Sequence, residues 1–125
     1  MFEISLVAFE PMNEIHQREI TYLKNLLEAI EKNLDVNKAF EEFLKDVKEH
    51  FAFEENLMQK YNFFAYIPHK TEHDRILNEL KNLNTEDKEE LKKYLIKTFI
   101  PWLHNHINTI DTVTAGFFKM INATN

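Results

Sequence analysis

Two short strings, HFAFEENLM at 50–58 and HINTID at 106–111, set histidine and carboxylate side chains inside apolar stripes of helical period. Any fold that buries those stripes carries imidazoles and carboxylates into its core. Each such group is costly to bury unless a partner satisfies it, and a metal ion satisfies several at once. The chain is therefore constrained to helices packed around a polar centre that attracts cations.

The rest of the sequence agrees with helices. One glycine and three prolines in 125 residues leave almost no turn chemistry for β-hairpins. A first helix is predicted over 12–32, where Ile20, Leu23, Leu27 and Ile30 recur at steps of three and four and one step back from Ile20 reaches His16. A second, over 37–61, carries Phe40, Phe43, Val47, His50, Glu54, Leu57 and Tyr61 on one face. Pro68 suits the first turn of a third, whose face holds His69, His73, Ile76, Leu80 and Leu83. A fourth is predicted from an N-cap at Thr85, with Glu86 and Asp87 following, through Leu91, Leu95, Thr98, Trp102, His106, Ile110, Val113 and Phe117. Pro101 should kink it. Four amphipathic helices with short links make an all-α, up-down-up-down four-helix bundle. Residues 1–11 read as an N-terminal arm laid across it, and the chain after Ile121 as a ragged tail.

Composition narrows the function classes. With 44% hydrophobic residues, the length suits one domain, 1–125, with its own core. A formal net charge of −6 and the absence of a Lys/Arg block remove the electrostatic footprint of a nucleic-acid binder. The chain has no cysteine, so every metal ligand must be nitrogen or oxygen and no iron–sulfur cluster can form. Glu3 and the lack of a basic leading segment argue against a secretory signal, and no apolar run approaches the ~20 residues of a membrane span. The expected location is cytoplasmic.

Spacing then groups the polar stripe residues. Positions four apart on an α-helix lie within about 40° of one another, so His50 with Glu54, and His69 with His73, can each grip one metal region. His16 and His106 reach the same interior from the first and fourth helices. Asp111 does not follow from period: five residues beyond His106 lie about 140° round an ideal helix. Either the helix is locally distorted or the Asp reaches across. His104 points away from His106 and reads as a surface residue, as does Glu55 beside Glu54.

A lone His, then His-x3-Glu, His-x3-His and His-x4-Asp, in that order, resembles the hemerythrin family in its single-domain bacterial form. HFAFEENLM is similar to the family's second-helix signature, PHKTEH to its third, and WLHNHINTID to its fourth. The resemblance implies two non-haem irons with a bridging oxo or hydroxo group. His69, His73 and His106 would bind one iron, His16 and His50 the other, with Glu54 and Asp111 bridging. These groups fill all but one position of two octahedra, leaving one open on the iron held by two histidines. There the family binds dioxygen, and Phe51, Trp102, Leu103 and Ile107 would line the oxygen pocket. The resemblance thus implies reversible dioxygen binding for transport, storage or buffering, with no catalytic residue. The alternatives are a redox enzyme that scavenges peroxide, nitric oxide or dioxygen, and an oxygen or redox sensor module. The physiological protein partner is not legible. Two positions depart from the family pattern: Asn13 stands where an Asp is usual, and Thr114 where a Tyr is frequent.

Overall fold

The apolar stripes give three uninterrupted α-helices, α1 (Glu10–Glu31), α2 (Val36–Lys60) and α3 (Tyr66–Lys81), and a fourth helical rod at 88–120. The computed structural model describes residues 4–124. No strand occurs among the described residues, and none of their helices is long and apolar enough to cross a membrane. Short connections at 32–35, 61–65 and 82–87 force consecutive rods to run antiparallel, as the four-helix bundle reading requires.

Asparagine does the work that glycine does in most helix ends. Asn33, Asn62 and Asn122 have φ of 56°, 52° and 54°. Each follows the last turn of a helix, and the next residue's N–H reaches back to the carbonyl five residues earlier: Leu34 to Ala29 O, Phe63 to Met58 O and Ala123 to Phe118 O, each at 2.9 Å. These are Schellman ends, for which Asn is the common substitute because it tolerates the left-handed region. The third gives a defined close to the segment that reads in the sequence as a ragged tail. It is tied down further by the Tyr61 hydroxyl, which accepts from Thr124 N–H at 3.1 Å.

Helix starts are less uniform. Asp35 caps α2, accepting from Lys38 N–H at 3.1 Å, and Asp87 caps the fourth rod, accepting from Glu90 N–H at 3.1 Å. The fourth cap is thus Asp87 rather than Thr85, whose hydroxyl instead donates to Asn37 Oδ1. Helix α1 begins two residues earlier than predicted, with Pro11 in its first turn, where a missing N–H costs nothing. Ahead of it, the described part of the arm is pinned by Asn13. The amide accepts from Val7 N–H at 2.8 Å and donates to Val7 O at 2.9 Å. An aspartate could only accept, which gives the Asn13 departure a structural role. Val7 and Phe9 are buried, Phe9 against Phe118 with ring centroids 5.3 Å apart. The arm's residues 1–3 lie outside the described residues.

The fourth rod differs most from its prediction. Three α-helical pieces, α4 (Lys88–Tyr94), α5 (Ile100–His106) and α6 (Thr112–Met120), alternate with two π-helical turns, Leu95–Phe99 and Ile107–Asp111. Each π-turn closes i→i+5 instead of i→i+4 bonds and so inserts one residue into the period. The predicted stripe holds at Leu91 and Leu95 and then slips by one. Phe99 is buried rather than Thr98, Leu103 more deeply than Trp102, and after the second turn Asp111, Thr114 and Phe118 rather than Ile110, Val113 and Phe117. Pro101 sits just beyond the first π-turn, where Ile100 N–H bonds to Leu95 O, so the widened turn accommodates the ring's missing donor. A similar correction applies in α1, where Leu26 is fully buried and Leu27 only half-buried.

Candidate metal centre

All seven polar stripe residues converge. His16 from α1, His50 and Glu54 from α2, His69 and His73 from α3, His106 from α5 and Asp111 from the second π-turn are all buried. They form two groups, each able to hold a metal ion: Glu54, His69, His73 and His106, and His16, His50, Glu54 and Asp111.

The two carboxylates divide their oxygens between the histidine sets. Glu54 Oε1 lies 3.2 Å from His69 Nε2 and 3.3 Å from His73 Nε2, while Oε2 lies 2.7 Å from His50 Nε2 and 3.7 Å from His16 Nε2. Asp111 Oδ1 lies 3.1 Å from His69 Nε2 and 3.2 Å from His106 Nε2, with Oδ2 3.1 Å from His16 Nε2. The second π-turn makes this possible. In an i→i+5 turn the residue five positions on returns over the first, so Asp111 comes back above His106. Of the two ways to aim Asp111, the structure adopts local distortion of the helix.

The imidazoles are held from behind. His50 Nδ1 donates to Glu19 Oε1 at 2.7 Å, and His73 Nδ1 to Glu55 Oε2 at 2.9 Å. Because an ionised carboxylate can only accept, both rings carry a proton on Nδ1 and turn Nε2 toward the centre. His69 Nδ1 lies 2.9 Å from Thr114 Oγ1. Sequence reading missed Glu19, which is fully buried, and its signal was present: it lies three residues after His16 on the same face. Glu55 is a correction, since it is only partly exposed and orients His73. His104 is half-buried and belongs to neither donor group.

Burial disfavours charge on His16, His50, Glu54, His69 and Asp111, and their mutual attraction overrides it. His16 and His69 are each raised to about 9 by the nearby carboxylates of Asp111 and Glu54. His50 is raised by the charges of Glu54 and Glu19. Glu54 is held well below the usual carboxylate range, chiefly by His50, and Asp111 is lowered by His106 and His16 despite the nearby charge of Glu54. The pocket thus favours negative oxygens and positive partners.

The donors fit metal ions in a second way. His16 Nε2, His73 Nε2, Glu54 Oε1 and both Asp111 carboxylate oxygens are buried without a hydrogen-bond partner among the described residues, and all of them face this centre. Proteins leave few buried polar atoms unpaired, so such a concentration marks a place for an ion. Cations in the two groups would satisfy these atoms together.

Aromatic and aliphatic side chains wall one side. The Phe51 ring stacks on His73 at 3.9 Å with 1° between planes, and the Trp102 indole stacks on His106 at 4.5 Å and 21°. Phe51, Leu103 and Ile107 are fully buried, whereas Trp102 is half-buried and donates its Nε1–H to Glu72 Oε1 at 2.9 Å.

Known proteins show the same pattern. The family model described as the hemerythrin HHE cation binding domain matches residues 7–117. The chain is 37% identical over 112 residues to "Bacteriohemerythrin" of Aquifex aeolicus (strain VF5), covering 83% of this chain and 85% of that protein. It is 34% identical over 110 residues to "Hemerythrin-like protein" of Naegleria gruberi, covering 88% and 85%. Over 62 residues it is 37% identical to "Myohemerythrin" of Sipunculus nudus, covering 50% and 48%. No solved structure matches significantly.

Proposed function

The chain belongs to the hemerythrin family, and from that premise we propose that it binds dioxygen reversibly at a non-haem di-iron centre, for transport, storage or buffering of oxygen. His69, His73 and His106 would hold one iron and His16 and His50 the other, with Glu54 and Asp111 shared. When bound, two irons supply the electrons that let dioxygen be held and given back. The observation that carries this reading is the division of each carboxylate: one oxygen faces each histidine set, as bridging between two metals requires. A single tetrahedral zinc would use four donors and leave the others buried and unpaired.

The protein's own side chains do the rest. The Nδ1 contacts of His50, His69 and His73 hold those rings in place and fix the orientation of their inward nitrogens. Phe51, Trp102, Leu103 and Ile107 would form the pocket on the dioxygen side, excluding water and protons that drive irreversible oxidation. These four side chains carry no carboxyl, imidazole or hydroxyl group to serve as a general acid, which favours a carrier over a scavenging enzyme.

Optical spectra of the iron-loaded, reduced protein decide the matter. Exposure to air should produce a new absorption that disappears when oxygen is removed, through repeated cycles. An absorption that develops once and never reverses would overturn reversible binding, and a single tightly held zinc with no iron would overturn the centre.

A further inference from the structure

We propose that Thr114 is a positioning residue of the metal centre, tying His69 on α3 to the π-turn that delivers Asp111; the inference rests on the di-iron reading above. Thr114 is fully buried. Its hydroxyl donates to Ile110 O at 3.0 Å, the carbonyl of the peptide that joins Ile110 to Asp111. A threonine hydroxyl has one hydrogen, so toward His69 Nδ1, 2.9 Å away, it can only accept. A proton of His69 is thereby placed on Nδ1, and Nε2 is turned toward Asp111 Oδ1 and Glu54 Oε1. One oxygen atom therefore holds the Nδ1–H of one donor and anchors the backbone next to another.

The surroundings explain why a hydroxyl serves here while His50 and His73 use carboxylates. Beside His69 and Thr114 opens a cleft of about 490 Å³ lined by Phe63, Phe64, Pro68, Ile110 and Val113. A carboxylate in place of Thr114 would border this apolar wall with its second oxygen unpaired, which is costly. The threonine accepts from the ring, spends its own hydrogen on the chain and leaves no charge behind. Without it, His69 Nδ1 would face the cleft and any water that enters.

Two substitutions separate hydroxyl from shape. T114V keeps the size and removes the oxygen, while T114S keeps the oxygen and removes a methyl group. In the metal-free protein, NMR reads the solvent exchange of His69 Nδ1–H; in the iron-loaded protein, transfer to a chelator reads the rate of iron loss. In T114V the N–H should exchange much faster than in wild type, and iron should leave roughly ten- to a hundredfold faster, the usual effect of losing a group that orients a ligand. T114S should resemble wild type in both. The assignment is overturned if T114V matches wild type, if T114S fails as badly as T114V, or if exchange quickens without faster iron loss. A wild-type chain that takes up no iron would sink the di-iron reading instead, and the N–H exchange of the metal-free variants would still decide what Thr114 holds.

Discussion

Glu54 and Asp111 are the two residues whose loss should be felt by both metal positions, because each presents one oxygen to each histidine set. Glu54→Ala or Asp111→Ala should strip iron and lower stability, since the remaining imidazoles lose the negative charge that offsets two cations. His104→Ala, outside both donor groups, should leave iron content unchanged and move stability by no more than about 0.5 kcal/mol. Metal analysis and denaturant unfolding on the three variants read this out; iron loss in His104→Ala would contradict the register of the fourth rod. Trp102 and Leu103 pose a different question. Both lie within a turn of His106, and Trp102 covers its ring. Trp102→Ala, or Leu103 replaced by a polar residue, should keep iron near normal but hasten decay of the oxygenated protein to its oxidised form, as water and protons gain access. An autoxidation time course unchanged in both variants would reduce them to ordinary packing residues.

Among the elements, the second π-turn bears directly on the centre. It places Asp111 over His106, and it is stapled by the Thr112 hydroxyl, which donates to Ile107 O at 2.7 Å, and by the Thr114 hydroxyl on Ile110 O. Deleting the exposed Asn108 should let the turn relax to an α-helix in which Asp111 stands four residues after His106, within about 40° of it, so that Asp111 and the segment that follows keep their inward faces. Helix content by circular dichroism and iron binding should both survive. Loss of iron in the deletion variant would show that the centre needs the wider turn itself and not only the register it sets. The same element explains how far the stripe could be followed in the sequence. Through α1, α2, α3 and the start of α4 the steps of three and four hold, and five of the seven donors fall on them. Beyond Leu95 each π-turn shifts the period by one residue, and no composition signal at Leu95–Phe99 or Ile107–Asp111 announces it.

For the whole molecule, the buried donor atoms that only cations would satisfy link the stability of the bundle to its metals. At metal levels a thousandfold above the dissociation constant, binding adds about 4 kcal/mol to folding stability. In a domain of this size that corresponds to roughly 15 °C in Tm, so chelation should lower the melting temperature by that order. Trp102 is the sole tryptophan and stacks on His106, so its fluorescence should rise as iron leaves, well below the thermal transition. A chelated protein that melts where the loaded one does, with unchanged fluorescence, would show that the bundle does not depend on the centre.

Helix number, antiparallel order, the inward faces of His16, His50, Glu54, His69, His73 and His106, and the family were legible from residue spacing and order, because an α-helix repeats regularly enough for period to report direction. Only the folded structure decided how Asp111 is aimed, that Glu19, Glu55 and Thr114 stand behind the histidines, and that Asn13 pins the arm. Those features depend on a local change of helix type and on contacts between segments far apart in the chain. Neither leaves a mark in the periodicity of one segment, since a hydrogen bond across the bundle exists only once the helices have packed.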